Sequence, residues 1–127
     1  MATVIIKHEL KDEELWGAMW GSGFESDPVT NNYLMSMEFI EGDWDKVGVV
    51  EVYYVAEDDD DEGTVEENWL MKRLNMEDVT NALTLAMTEG YRHVPCGGNI
   101  DTNIDDWDAC VGDILLQLAL YGKEVWA

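Results

Sequence analysis

Alternation of apolar and polar positions is clearest in the middle of the chain. Tyr33, Met35, Met37 and Phe39 alternate with Leu34, Ser36, Glu38 and Ile40, the two-residue period of a strand buried on one face. The pattern resumes over Val47 to Val55, where Val49, Glu51 and Tyr53 alternate with Val50, Val52 and Tyr54 and β-branched and aromatic residues dominate. Glu41-Gly42-Asp43-Trp44-Asp45 lies between the two runs and reads as the turn of an antiparallel hairpin. Two flanking segments are also read as strands: Thr3 to Leu10, with Val4, Ile5 and Ile6 clustered, and Thr64 to Leu74, with Val65, Trp69 and Met71 among charges. Trp16 to Phe24, rich in Trp and Gly, fits either a short helix ending at Gly21 or an irregular loop pinned by aromatics, and Asp27-Pro28 marks a turn.

Beyond residue 75 the period changes to that of a helix. Asn75 is a credible N-cap, Glu77 and Asp78 suit the positive end of a helix dipole, and Val79, Leu83 and Ala86 or Met87 share a face before Gly90. Pro95 and Gly97-Gly98 keep Tyr91 to Ile104 irregular. A last helix is capped by Asp105 or Asp106, carries Trp107, Cys110 or Val111, Ile114, Leu118 and Tyr121 at helical spacing, and closes at Gly122. Strands followed by helices predict one α+β domain over residues 1–127: an antiparallel sheet of about four strands with two C-terminal helices packed on one face.

Charge changes what this domain is expected to do. Asp and Glu number 28 against 7 Lys and Arg, for a formal net charge of −21. A compact chain of this length has a radius of gyration of roughly 14 Å and so a diameter of about 35 Å. Duplex DNA carries one charge per about 1.7 Å of axis, so the folded protein matches DNA in charge per unit length. Self-repulsion on that scale opposes compaction, yet 46% hydrophobic residues, six Trp and five Tyr supply a core. Such a surface repels nucleic acid and anionic membrane and attracts basic proteins. The chain has no apolar run of membrane-spanning length, and its start lacks the basic-then-apolar order of a signal peptide, so a cytoplasmic location is expected. There Cys96 and Cys110 would stay reduced, with Cys110 a small buried hydrophobe of the last helix.

Site chemistry is thin by comparison. Asp58, Asp60, Glu62, Gly63 and Glu66 follow the spacing of a calcium loop, but Trp69 stands where the bidentate Glu is required. His93 and Cys96 form a single close pair where zinc sites use two, and nothing orients them as base and nucleophile. Paired carboxylates such as Asp43 with Asp45 and Asp105 with Asp106 are too many for one pair to stand out. The glycine-rich stretches lack the phosphate and dinucleotide fingerprints. No catalytic residue, metal or cofactor is assigned.

Two segments, Phe39-Ile40-Glu41-Gly42-Asp43-Trp44-Asp45-Lys46 and Asp108-Ala109-Cys110-Val111-Gly112-Asp113-Ile114-Leu115-Leu116-Gln117, resemble those of small uncharacterised bacteriophage proteins. In kind, the chain is similar to acidic phage DNA-mimic inhibitors of the anti-CRISPR and antirestriction type. The resemblance implies a non-enzymatic inhibitor, acting in the host cytoplasm, that occupies a basic nucleic-acid channel of a host defence complex. The expected partner-binding residues are Asp43, Trp44 and Asp45 in the turn, Asp58, Asp59, Asp60, Asp61 and Glu62 with Glu66 and Glu67 in the acidic loop, and Asp105, Asp106 and Asp108 at the helix start. The competing expectation is a structural or adaptor protein, a homodimer or larger oligomer held by an exposed apolar patch around Trp16 and Trp20, with acidity serving solubility only.

Overall fold

The computed structural model describes residues 11–56, 69–89 and 107–125. Helix α1 (Asp12–Trp20) is followed by two short 3₁₀ turns, Phe24–Ser26 and Thr30–Asn32. Strands β1 (Leu34–Asp43), β2 (Lys46–Tyr54) and β3 (Leu70–Leu74) come next, then helices α2 (Met76–Glu89) and α3 (Ala109–Tyr121). The sheet is antiparallel in the order β1-β2-β3. It has three strands where about four were expected: only Leu70–Leu74 of the expected fourth strand is seen paired, and residues 64–68 and the Thr3 to Leu10 segment lie outside the described residues.

Helix α1 begins earlier than its apolar residues suggest, because Asp12, Glu13 and Glu14 form its first turn, where negative side chains meet the positive end of the dipole. Leu15, Trp16, Met19 and Trp20 form its buried face. Trp20 meets Trp16, Phe24 and Phe39 edge-to-face at centroid separations of 5.6, 5.8 and 6.2 Å, a geometry suited to the ring quadrupoles.

Asn75 caps α2 as the sequence predicts. Its Oδ1 accepts the Asp78 N–H (3.1 Å) while the Asp78 carboxylate accepts the Asn75 N–H (2.9 Å), a reciprocal box. The cap of α3 is Asp108, not Asp105 or Asp106: its Oδ1 accepts the N–H groups of Cys110 (3.0 Å) and Val111 (3.3 Å). Gly122 ends α3 at φ 76°, its N–H on the Leu118 carbonyl at 2.9 Å. Every residue from Val111 to Leu120 is buried, so α3 runs through the interior instead of resting one stripe on the sheet. Lys72 reaches in from β3 and donates to the Ala119 carbonyl at 2.8 Å, satisfying one of the carbonyls left open at the helix end.

Cys110 is disulfide-bonded, which corrects the expected free thiol. The chain offers it one intramolecular partner, Cys96, outside the described residues. With Cys110 bonded, protein purified without reductant should titrate no free thiol. Closing a loop of about 15 residues contributes about 3 kcal/mol. Reductant should lower the urea midpoint accordingly; an unchanged midpoint with free thiols present would show the bond to be idle.

Candidate functional site

The β1–β2 hairpin gathers the acidic residues in an ordered way. Its inner face carries Val50, Val52 and Tyr54 with Phe39 and Leu74 alongside, and the contacts of Trp20, Ala119 and Tyr121 with Phe39, Lys72 and Tyr54 all fall on that side. The outer face follows from register. Glu38 lies opposite Glu51, which lies opposite Arg73; Ser36 lies opposite Tyr53, which lies opposite Met71; Glu41 lies opposite Val49. Paired side chains on one face start about 5 Å apart across the strands, and rows recur every about 6.8 Å along them. Arg73 Nε donates to Glu51 Oε2 at 3.1 Å.

At the tip, Asp43 pairs with Lys46 and leaves Trp44 and Asp45 as the two-residue loop. Two irregularities in register lie on either side of Glu41, and Gly42 adopts φ 71°. A Cβ there would run into the Lys46 carbonyl oxygen, so glycine is required at this bulge. The tip is fastened to α1: Trp16 Nε1 donates to the Asp43 carbonyl at 2.8 Å, and the Trp44 ring lies over Gly21, where a Cβ would stand 3.2 Å from Trp44 Cε3. Trp44 nevertheless remains 56% exposed. It both folds back and presents an apolar surface between two acids.

Asp43 and Asp45 titrate as a pair. The hydrogen bond between their side chains holds Asp43 below the usual carboxylate range and lifts Asp45 above it, with the Asp45 N–H on Asp43 Oδ1 (3.1 Å) helping the former. This is the asymmetry that sequence abundance concealed.

Of the residues expected to bind a partner, the structure brings Asp43, Trp44 and Asp45 together in this turn. Asp108 is exposed, but one of its oxygens serves as the α3 cap. It lies one turn before Gly112, whose position is packed against Ser22 and Phe24, next to the Gly21 that Trp44 covers. The helix start and the hairpin tip thus border the same 21–24 segment. Asp58, Asp59, Asp60, Asp61, Glu62, Glu66, Glu67, Asp105 and Asp106 lie outside the described residues. Asp12, Glu13, Glu14, Glu25, Glu77 and Glu89 are exposed on other elements, so negative charge surrounds the molecule, while the register-fixed rows belong to the hairpin. Trp16 and Trp20, expected to form an oligomer patch, are buried instead.

Sequence reasoning missed Asp113. It is 4% exposed, with Thr30 Oγ1 (2.7 Å) and Tyr33 OH (2.5 Å) on Oδ1 and Gln117 Nε2 (3.0 Å) on Oδ2. Burial raises its pKa, partly offset by these donors, with Asp27 adding to the rise. It is a structural hub, since its oxygens are taken and no group able to hold a metal exists among the described residues. No described helix is long and apolar enough to cross a membrane. No protein-family model matches the chain, and neither a curated protein nor a solved structure matches it.

Proposed function

We propose that the chain is a non-enzymatic inhibitor of the phage type that mimics nucleic acid and blocks a basic nucleic-acid-binding channel of a host defence complex, of anti-CRISPR or antirestriction kind, in the host cytoplasm. One observation carries the reading: Glu38, Glu51, Glu41, Asp43 and Asp45 stand on a single hairpin whose register and tip are fixed by backbone pairing, the Gly42 bulge and the Trp16 anchor. A rigid array offers carboxylates to Lys and Arg without the ordering cost of a flexible acidic tail. Carboxylates replace phosphates because both accept the same charge-assisted hydrogen bonds, bidentate where arginine donates. Of the seven basic residues, Lys72 is spent on a helix end, while Arg73 pairs with Glu51 and offsets one charge of the array. The acidic run Asp58 to Glu62 adds to the array's negative field by composition alone.

Affinity capture from a bacterial lysate, with duplex DNA as competitor, tests this. The captured protein should bind nucleic acid, be displaced by the duplex and be released as salt rises. Its nucleic-acid-dependent activity should fall when the chain is added. Asp43→Lys with Asp45→Lys, and separately reversal of Asp58 to Asp61, should each weaken inhibition on the order of tenfold. Salt-insensitive capture that DNA cannot compete would rule out charge mimicry. Because Asp45 is the member of its pair with the raised pKa, acidification should weaken binding first through that residue.

A further inference from the structure

We propose that the outer face of the sheet reads arginine: Glu38 and Glu51, with Tyr53 beside them, take guanidinium groups of the basic partner in preference to lysine ammonium groups. This rests on the charge-mimic reading and specifies the chemistry its partner must present.

The row Glu38·Glu51·Arg73 sets two carboxylates directly opposite each other. Like charges in that position destabilise a sheet, and one guanidinium already relieves them. Arg73 does so through Nε alone, the single ion pair among the described residues; its own side chain is 61% exposed and that of Glu51 beneath it 15%. Glu38 is exposed on the other side of Glu51. A second guanidinium would seat on the open Glu38 carboxylate and reach Glu51 at the edge that Arg73 leaves uncovered.

The next row, about 6.8 Å along the strands, places Tyr53 and Met71 at 36% and 49% exposure on the same face. A planar guanidinium can lie on an aromatic ring while its fork engages a carboxylate, whereas a compact, strongly hydrated ammonium gains the charge attraction with less of either. Arg73 is the intramolecular precedent only for the charge contact, a guanidinium Nε on Glu51.

Charge complementarity decides the occupant. A second copy of the chain would bring another net −21 to this face, and nucleic acid or an anionic bilayer would be repelled in the same way. An arginine-bearing protein groove is what fits.

The test compares an oligoarginine and an oligolysine peptide of equal length, binding followed by calorimetry at near-physiological salt. Oligoarginine should bind the unaltered protein on the order of tenfold tighter. Glu38→Gln combined with Glu51→Gln, which removes facing like charges and so keeps the fold, should abolish that preference. Tyr53→Leu should reduce it, and Asp43→Asn with Asp45→Asn at the tip should weaken both peptides while leaving the preference intact. Arg73→Ala, which vacates Glu51, should strengthen oligoarginine binding more than oligolysine binding. A preference unchanged across the face variants would overturn the arginine assignment and leave charge mimicry standing. Failure of both peptides to bind even at low salt would remove the two together.

Discussion

Replacing Asp113 with alanine should cost the fold about 3 kcal/mol, a large share of the 5–15 kcal/mol typical of a domain. The substitution removes the side-chain acceptor shared by the Thr30 and Tyr33 hydroxyls and the Gln117 amide in the interior, and leaves Tyr33 its longer bond to the carbonyl of residue 113 at 3.2 Å. Each buried donor left without an acceptor costs about 1–3 kcal/mol, offset in part by removing a desolvated charge. Asparagine should rescue in part. The Gln117 amide is oriented by the Val125 N–H, which donates to its Oε1 at 2.8 Å, so its Nε2 must face the residue at 113 as a donor. An Asn with its Oδ1 toward Gln117 keeps this bond but turns its Nδ2 to the Thr30 and Tyr33 hydroxyls, which must then accept instead of donate. Urea unfolding measures the loss, and amide exchange at Val125 should quicken most in the alanine variant. Wild-type stability with either substitution would show that the hub contributes nothing.

The same residue fixes an unusual pH response. Burial raises the folded pKa of Asp113 above its unfolded value, and burial and the Asp113 charge do the same to Glu124. For an acid so shifted the folded state holds more protons than the unfolded state, so stability falls as pH rises through the raised pKa and is recovered as pH falls toward the ordinary carboxylate value. Partial neutralisation of the net charge acts in the same direction. Melting temperature should therefore rise from neutral pH into the mildly acidic range, and less so in Asp113→Asn; a monotonic fall over that window would contradict the assignment.

Residues whose role follows from local period or backbone demand were legible in the sequence. The hairpin was visible because alternation over Tyr33 to Val55 brackets a Gly-Asp-Trp-Asp turn, and the ends of α2 and α3 because Asn75 and Gly122 do what those residue types do locally. Roles that depend on distant partners were not. The run Lys11-Asp12-Glu13-Glu14 has no apolar period of its own, and only the tertiary burial of Leu15, Trp16, Met19 and Trp20 makes its last three residues the first turn of a helix. Asp113 passed as one acid among many, although an acid one turn before Gln117 in an otherwise apolar helix was a usable signal for a buried polar network. At the site, Trp44 between two acids was evident from the sequence, while the facing of Glu38 and Glu51 depends on register that two bulges shift.

Gly42→Ala should weaken partner binding to about the same extent as charge reversal at Asp43 and Asp45, although it removes no charge. At φ 71° an L-residue is strained by about 1–2 kcal/mol, and the added Cβ collides with the Lys46 carbonyl oxygen and comes within 3.0 Å of that of Val47. Backbone atoms cannot step aside as a flexible side chain would. Relief requires the bulge to open, which shifts the Asp43·Lys46 pair, pulls the Asp43 carbonyl from Trp16 Nε1 and lifts Trp44 from Gly21. Gly48→Ala should act alike, since its Cβ would strike the Glu41 carbonyl across the strands. Stability should fall by about 2–3 kcal/mol while the chain still folds, so binding can be measured on folded protein, using the captured target. If the variant is folded and still inhibits as the wild type does, then the direction in which the hairpin tip holds its carboxylates is irrelevant. Mimicry would then depend on the amount of negative charge and not on where the hairpin places it.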